Sequence, residues 1–313
     1  MDTRDLAIGV IFLVQTVLGI LGNLSLLYLY VLLSLTGCRP RPTDLIVKNL
    51  IVANLLVLVS FGIHRTLSSF GWYHTFGDFG CKFFPYVRNV GRGVSIGLTC
   101  LLSVFQAIMI SPQNSRWAAL KGKAPKCLFP SLVLCWILQL LVNIMFPMFM
   151  SGPLNYKNTT MQKSFGYCSS LRHDKAEDSL FAVVLSFPDM LYLGLMIWFS
   201  GSMVYILYRH KQRVRHIHRT SISSISSPES MATKTIFLLL CTFVYFNTIS
   251  SVIHIVLSVL DHPNWYLLNT DLLIALCFPT VSPFLLISRD SRVSMVCFHW
   301  IRNIKCPHLM RNV

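Results

Sequence analysis

Seven blocks of predominantly apolar residues divide this chain, and each is long enough to cross a lipid bilayer as a helix. They occupy residues 6–35, 44–63, 88–110, 127–150, 179–208, 235–260 and 266–288. A bilayer core about 30 Å thick needs about 20 residues of helix, at about 1.5 Å of rise per residue. Lipid offers the backbone no hydrogen-bond partners, and a helix satisfies its own peptide groups. The pattern predicts an all-α integral membrane protein, a single bundle of seven transmembrane helices formed by residues 1–313.

The composition agrees with this interpretation and excludes a nucleic-acid partner. Hydrophobic residues make up 54% of the 313 residues against 12% charged ones, and the mean hydropathy is +0.59. The net charge of +15 would suggest nucleic-acid binding if it lay on one soluble face. Here the positive charges fall between the apolar blocks, where membrane lipids are the expected partners.

The distribution of Lys and Arg predicts the orientation of the bundle. With the N-terminus outside, the inner segments hold 18 of these residues and the outer segments hold 7, with Arg88 and Arg92 at a rim. Cytoplasmic segments of membrane proteins carry the excess of Lys and Arg. We therefore expect the N-terminus outside and the C-terminus inside.

Two features of the outer segments agree with this orientation. Of ten cysteines, only Cys81 and Cys168 fall outside, where the oxidising environment favours a disulfide between them. The sequence Asn158-Thr159-Thr160 lies in the same outer loop as Cys168 and is an acceptor for N-glycosylation. We expect a Cys81–Cys168 disulfide and a glycan on Asn158.

Seven spans with an outer disulfide suggest a G-protein-coupled receptor, and the motifs narrow the class. Gly22-Asn23 and Trp136 are both seen in rhodopsin-like receptors, but the acidic-Arg-aromatic triplet at the inner end of the third span is missing. The chain instead resembles the vomeronasal type-1 receptor family over nearly its whole length. The resemblance rests on "RDLAIGVIFLVQTVLGILGNLSLLY" at 4–28, "TDLIVKNLIVANLL" at 43–56, "DFGCK" at 78–82, "VGRGVSIGLTCLLSVFQAI" at 90–108, "LGLMIWFSGSMVYILYRHKQRVRHIHR" at 193–219 and "SPES" at 227–230.

This resemblance implies a chemosensory receptor of the plasma membrane. Such a receptor detects pheromones or related small molecules and signals through an inhibitory-class heterotrimeric G protein. We expect no enzymatic activity, no cofactor and no metal site, because the sequence has no paired membrane carboxylates, no metal-spaced His/Cys cluster and no nucleotide-binding loop.

Three other classes of membrane protein compete with this interpretation. The bitter-taste receptors are the nearest rival, since they also lack the third-span triplet, but the outer cysteine pair and the quoted blocks favour the vomeronasal family. A transporter or channel would be expected to have internal repeats or a line of polar residues through the bilayer. A retinal-binding photoreceptor needs a Schiff-base lysine in the last span, and residues 266–288 contain none.

Arg88 and Arg92 are the first candidates for ligand binding. Spaced i and i+4, they share one face of the third helix, and we place them at its outer mouth. One interpretation is that they pair with acidic residues of the outer side and anchor a loop; these acids are Asp174, Glu177, Asp178 and Asp271. The other is that at least one binds an anionic ligand group, since a planar guanidinium suits a sulfate or carboxylate.

The remaining candidates are ionisable residues elsewhere in the spans and the inner loop. Asp189, near the outer end of the fifth span, either lines the pocket or pairs with a neighbouring span. His254, deeper in the sixth span, is either a packing residue or a pocket residue. The inner loop carries a dense basic run that suits acidic lipid head groups and a G protein. This run comprises Arg209, Lys211, Arg213, Arg215 and Arg219.

Overall fold

The computed structural model describes most of the helical bundle and a small sheet. The described residues are 3–35, 41–71, 77–111, 118–144, 147, 150–151, 162–165, 168–171, 187, 190–206, 208–209, 238–250, 252–253 and 265–289. The helices are α1 (Thr3–Leu35), α2 (Pro42–Val57), α3 (Ile63–Ser69), α4 (Gly77–Ile110), α5 (Ala118–Lys121), α6 (Ala124–Asn143), α7 (Met190–Ile206), α8 (Leu238–Ser250) and α9 (Trp265–Arg289). The strands are β1 (Met150–Ser151), β2 (Gln162–Phe165) and β3 (Cys168–Leu171).

The expectation of several membrane-spanning helices is confirmed. Five helices of the described part are long and apolar enough to cross a bilayer. They lie in the first four predicted blocks and the last one, and the second of them runs continuously from Pro42 to Ser69. Two shorter apolar helices, α7 and α8, lie within the predicted fifth and sixth blocks.

Two helix boundaries differ most from the predicted blocks. The predicted third block begins at residue 88, but α4 begins at Gly77, so Arg88 and Arg92 lie well inside a helix and not at its first turn. The predicted block stops at a charged residue because lipid disfavours charge. A helix can nevertheless continue through charged residues when their side chains contact polar or aromatic groups. The fourth block was extended to residue 150, but α6 ends at Asn143, and Met150 belongs to strand β1.

The small sheet lies between α6 and α7 and was not predicted. Its strands are antiparallel in the order β1-β3-β2, with Phe165 opposite Cys168 in the tight β2–β3 pair. Strand β1 packs against α4. The all-α expectation therefore holds for the bundle but not for these three strands. A short hairpin is marginally stable by itself, and here the sheet packs against α4 through β1.

Helix α4 forms the centre of the bundle. Its most apolar stretch is 78% buried, against 33% for α1 and 22% for α6. It packs against α2 on one side and α6 on the other, while α1 packs against α9. Helices α1 and α6 consequently leave much of their apolar surface for lipid, whereas Arg88 of α4 lies against Phe61 of a neighbouring span.

A π-helical turn, Leu58–Gly62, interrupts the second span between α2 and α3. A π turn uses more residues per turn than an α-helix, so it rotates every later side chain around the axis, and such turns are frequent at functional sites. Gly62 ends this turn in close contact with α1, since a Cβ at this position would overlap the Thr16 side chain. The π turn therefore sets the direction in which α3 presents its side chains.

Helix α9 contains two prolines, and a neighbouring helix compensates for one of them. Pro283 has no N–H, so the carbonyl of Pro279, four residues earlier, loses its helical partner. The side-chain amide of Asn23 on α1 donates to this carbonyl at 2.8 Å, and Asn23 is fully buried. A side chain from one helix thus satisfies a backbone group that proline has freed in another, as lipid-embedded helices require.

This contact makes a prediction for a double-mutant cycle. Replacing Asn23 with Leu leaves the Pro279 carbonyl unpaired and should lower the free energy of unfolding by about 1–2 kcal/mol. Replacing Pro283 with Ala restores the backbone N–H, so the same Asn23→Leu change should then cost much less. Thermal denaturation of the purified receptor measures both costs. Equal costs in the two backgrounds would contradict the assignment.

Candidate functional site

The arginines of α4 lie at a close approach between α4 and α2. Gly91, between Arg88 and Arg92, has no side chain, and a Cβ there would lie 3.0 Å from the carbonyl oxygen of Ala53. Gly93 similarly makes room for the amide of Gln139 on α6. These small residues let the helices approach closely, as is common in membrane bundles.

Arg88 lies against an aromatic ring of the π turn. Its guanidinium carbon is 4.2 Å from the centroid of Phe61, and that of Arg65 on α3 is 5.6 Å from the same centroid. The face of an aromatic ring carries partial negative charge and attracts such cations. Arg65, Arg88 and Arg92 are hereafter the arginine cluster.

One buried carboxylate belongs to the surroundings of this cluster. Asp271 on α9 is only 4% exposed, and it accepts a hydrogen bond of 3.0 Å from the hydroxyl of Ser250 on α8. The charges of Arg65, Arg92 and Asp271 all act on Arg88. Of the four acids proposed as partners, Asp271 is the one whose side chain the structure describes. Its hydrogen-bond partner Ser250 lines the same cavity as Arg88 and Arg92.

A small cavity opens between α4, α8 and α9. Its volume is about 30 Å³, which is room for about two water molecules. Polar side chains line one part of it, and they are Arg88, Arg92, Ser95, Asn247 and Ser250. Phe243, Phe246 and Phe278 line another part, and the rings of Phe243 and Phe278 meet edge to face at 4.5 Å. The cavity therefore offers cationic and neutral donors beside an aromatic surface.

A buried polar network lies next to this cavity and joins three helices. The hydroxyl of Ser95 on α4 donates to the side-chain oxygen of Asn54 on α2 at 3.1 Å. The Asn54 amide in turn donates to the hydroxyl of Ser282 on α9 at 3.0 Å. All three residues are buried. The network holds α2, α4 and α9 in one relative arrangement below the arginine cluster.

Replacing Asn54 with Leu should destabilise this arrangement. Two interhelical hydrogen bonds are lost, each worth about 0.6–1.7 kcal/mol within a membrane. The expected result is a lower midpoint of thermal denaturation, measured on the purified receptor in detergent. Ser131→Ala is a suitable control, since the Ser131 hydroxyl bonds only a carbonyl of its own helix. An Asn54→Leu midpoint as high as that of the control would contradict the role of the network.

The structure places two of the predicted pocket residues, Arg88 and Arg92, in the lining of one cavity, and Asp271 accepts a hydrogen bond from Ser250 of the same lining. Asp189 and His254 lie outside the described residues, as do Asn158 and most of the basic inner run, namely Lys211, Arg213, Arg215 and Arg219. Arg209 is described and exposed. Their roles remain predictions.

The outer cysteine pair is described only in part. Cys81 is buried, and its sulfur is disulfide-bonded. Cys168 begins strand β3, but its side chain lies outside the described ones. The Cys81–Cys168 pairing therefore stays a prediction.

Sequence reasoning missed Arg65 and Phe61. The predicted second block ends at residue 63, whereas Arg65 lies in the helix that continues the second span. The one available signal was the i, i+4 spacing of Phe61 and Arg65, which places them on one helix face. That spacing does not reveal which neighbouring helix the face meets.

Known proteins match this chain over nearly the whole region that contains the described helices. The model of the vomeronasal organ pheromone receptor family matches residues 6–299. The human vomeronasal type-1 receptor 4 is 51% identical over 302 residues, which are 96% of this chain and 100% of that protein. The human vomeronasal type-1 receptor 3 is 48% identical over 99% of this chain and 100% of that protein. The zebrafish olfactory receptor class A-like protein 1 is 31% identical over 92% of each chain.

These matches extend from the first helix past the last one. The predicted resemblance is thereby confirmed, and so is the multi-pass membrane location. The bundle and its relatives together identify the chain as a chemosensory receptor that belongs to the vomeronasal type-1 receptor family.

Proposed function

We propose that this receptor binds a small-molecule ligand, of the pheromone type, from the outer side of the plasma membrane and activates an inhibitory-class heterotrimeric G protein. The observation that carries the proposal is the charged cavity between α4, α8 and α9. Polar and cationic groups beside aromatic rings are the typical lining of a small-molecule site. The names of the matched family and relatives support the sensory role.

Ligand binding has to change the packing of the bundle. A cavity of about 30 Å³ is far smaller than the roughly 300–1,000 Å³ of a typical ligand pocket. A ligand at this site must therefore separate α8 and α9 from α4, which would open the edge-to-face contact of Phe243 and Phe278. A ligand that prefers the separated packing shifts the population toward it and changes the inner surface offered to the G protein.

Arg88 and Arg92 are proposed to bind an anionic group of this ligand. Both line the cavity, and both can offer paired N–H donors to a sulfate or carboxylate. Asp271 supports the alternative of a structural role, because its charge acts on Arg88. The two roles are compatible, because Asp271 offsets only part of the positive charge near Arg88 and an anionic ligand group would offset more of it. Asp189 and His254 are proposed as further pocket residues.

The inner basic run is proposed to contact the G protein and acidic lipids. Exposed Arg209 lies just beyond α7, and the run continues with Lys211, Arg213, Arg215 and Arg219. Positive charge next to the inner leaflet is attracted to anionic head groups. The same charges would face an acidic partner surface once the helices separate.

Nucleotide exchange on an inhibitory-class G protein tests the proposed function. Membranes containing the receptor are challenged with steroid and volatile ligands in matched anionic and neutral forms. We expect exchange above the receptor-free background with at least one ligand. Exchange with no member of the panel, or equal exchange in receptor-free membranes, would contradict the coupling.

Glycosylation tests the proposed orientation. If the N-terminus is outside, Asn158 is accessible to the glycosylation machinery, and Asn158→Gln should abolish the mobility shift that an N-glycosidase produces. Ser25→Ala, which removes the acceptor pattern Asn23-Leu24-Ser25 inside α1 at an exposed residue, should leave this shift unchanged. A glycosidase shift that survives in Asn158→Gln would contradict the proposed site.

A further inference from the structure

Phe61 is shared by two guanidinium groups that come from different helices. The guanidinium carbons of Arg88 and Arg65 lie 4.2 and 5.6 Å from its ring centroid, so they are no farther apart than these two distances together. Two like charges repel at such a separation. The ring offsets part of this repulsion, because its face attracts each cation.

The described charges around Arg88 do not balance. Two described cations, Arg65 and Arg92, and one described carboxylate, Asp271, act electrostatically on the Arg88 guanidinium. Arginine does not lose its proton in proteins, so neutralisation by titration is not available. Moreover, the Nε atom of Arg65 is buried and has no hydrogen-bond partner. Cations in such surroundings call for anionic partners.

The positions of the three arginines suggest two anion contacts and not one. Arg88 and Arg92 line the cavity, whereas Arg65 is absent from this lining and shares the Phe61 ring with Arg88. The cavity of about 30 Å³ has room for one oxyanion group of a ligand and little more. A second anionic group of the same molecule would extend past Phe61 to Arg65.

We propose that Arg65 is a ligand-binding residue, and that the arginine cluster selects organic dianions over monoanions of the same skeleton. This inference rests on the proposed function, because it assumes that ligands bind at this cavity. One oxyanion group of the dianion contacts Arg88 and Arg92, and the other contacts Arg65. Phe61 packs against the carbon skeleton between them.

Direct binding of matched probes tests the selectivity. The full chain is purified into nanodiscs of zwitterionic lipid, so that anionic head groups do not compete for the arginines. The probes are octanedioate and its monomethyl ester, which have the same chain and differ by one charge. Thermal shift as a function of probe concentration gives a Kd for each. We expect octanedioate to bind about tenfold more tightly, as one added charged hydrogen-bond contact implies.

Three variants assign this preference to Arg65. Arg65→Gln should bring the two Kd values within about twofold of each other and leave that of the monomethyl ester nearly unchanged. Arg65→Lys keeps the charge but loses the planar fork, so it should retain part of the preference. Lys82→Gln removes a positive charge from the N-terminal half of α4, where Arg88 also lies, and should leave the preference for octanedioate intact.

Several results would overturn the inference. They are a wild-type preference near one, the absence of octanedioate binding, an undiminished preference in Arg65→Gln, and a loss as complete in Lys82→Gln as in Arg65→Gln. The last result would indicate that the preference arises from the overall positive charge of the outer surface and not from a contact between Arg65 and the ligand.

The binding assay and the exchange assay fail independently. Octanedioate binding that depends on Arg65, without any nucleotide exchange, would support this inference and contradict the proposed coupling. Exchange in response to neutral ligands, without a dianion preference, would support the receptor function and leave Arg65 as a structural partner of Phe61.

Discussion

Replacing Arg92 with Gln is expected to weaken the response to an anionic agonist by about 10- to 100-fold. Arg92 lines the cavity, and a charged hydrogen bond contributes about 1.5–3 kcal/mol, where each 1.4 kcal/mol is a factor of ten. The potency of the matched neutral ligand should change by less than about threefold. The measurement is the concentration dependence of nucleotide exchange at equal surface expression.

A conservative variant separates charge from geometry at this position. Arg92→Lys retains the positive charge but cannot offer the two parallel donors of a guanidinium. Its potency for the anionic agonist should lie between those of the wild type and Arg92→Gln. An equal loss for anionic and neutral ligands would instead indicate that Arg92 holds the helices together, and unchanged potency would remove it from the ligand site.

Loss of the outer disulfide is the second large effect that we expect. Cys81→Ser should destabilise the receptor by about 2–5 kcal/mol and sharply reduce its amount at the cell surface. If the partner is Cys168, then Cys168→Ser should have the same effect, and the double variant should be no worse than either single one. Surface labelling and thermal denaturation measure the two quantities.

The free cysteines supply a matched control. Cys127 is exposed and free, so Cys127→Ser should alter neither surface expression nor the denaturation midpoint. Additive losses in Cys81→Ser/Cys168→Ser would contradict the pairing. In that case each cysteine has a separate role, and strand β3 is not tied to α4 through these two sulfurs.

The spans could be predicted because lipid imposes a local requirement. Every span needs about 20 consecutive apolar residues, so α1 and α9 can be found from local composition alone. The helix α9 continues through its two prolines. Local reasoning was wrong at the start of α4. It treats Arg88 as a boundary, whereas α4 begins at Gly77 and the Arg88 guanidinium lies against the Phe61 ring.

The candidate site could be predicted only in part. The i, i+4 spacing correctly placed Arg88 and Arg92 on one face, because helical periodicity is a property of the local chain. Asp271 is one of four acids that the sequence offers as partners of these arginines, and the sequence does not distinguish among them. Arg65 was not found, since its direction depends on the π turn at Leu58–Gly62.

The sequence by itself determined that this chain is a membrane receptor of the vomeronasal type-1 family with two arginines on one helix face. Only the tertiary structure decided what surrounds those arginines, namely the Phe61 ring that Arg88 shares with Arg65 and a cavity whose lining residue Ser250 donates to Asp271. The physical reason is that hydropathy and periodicity act within one segment. Contacts between segments depend on helix rotation and close approach, which the π turn and Gly91 set through residues far away in the chain.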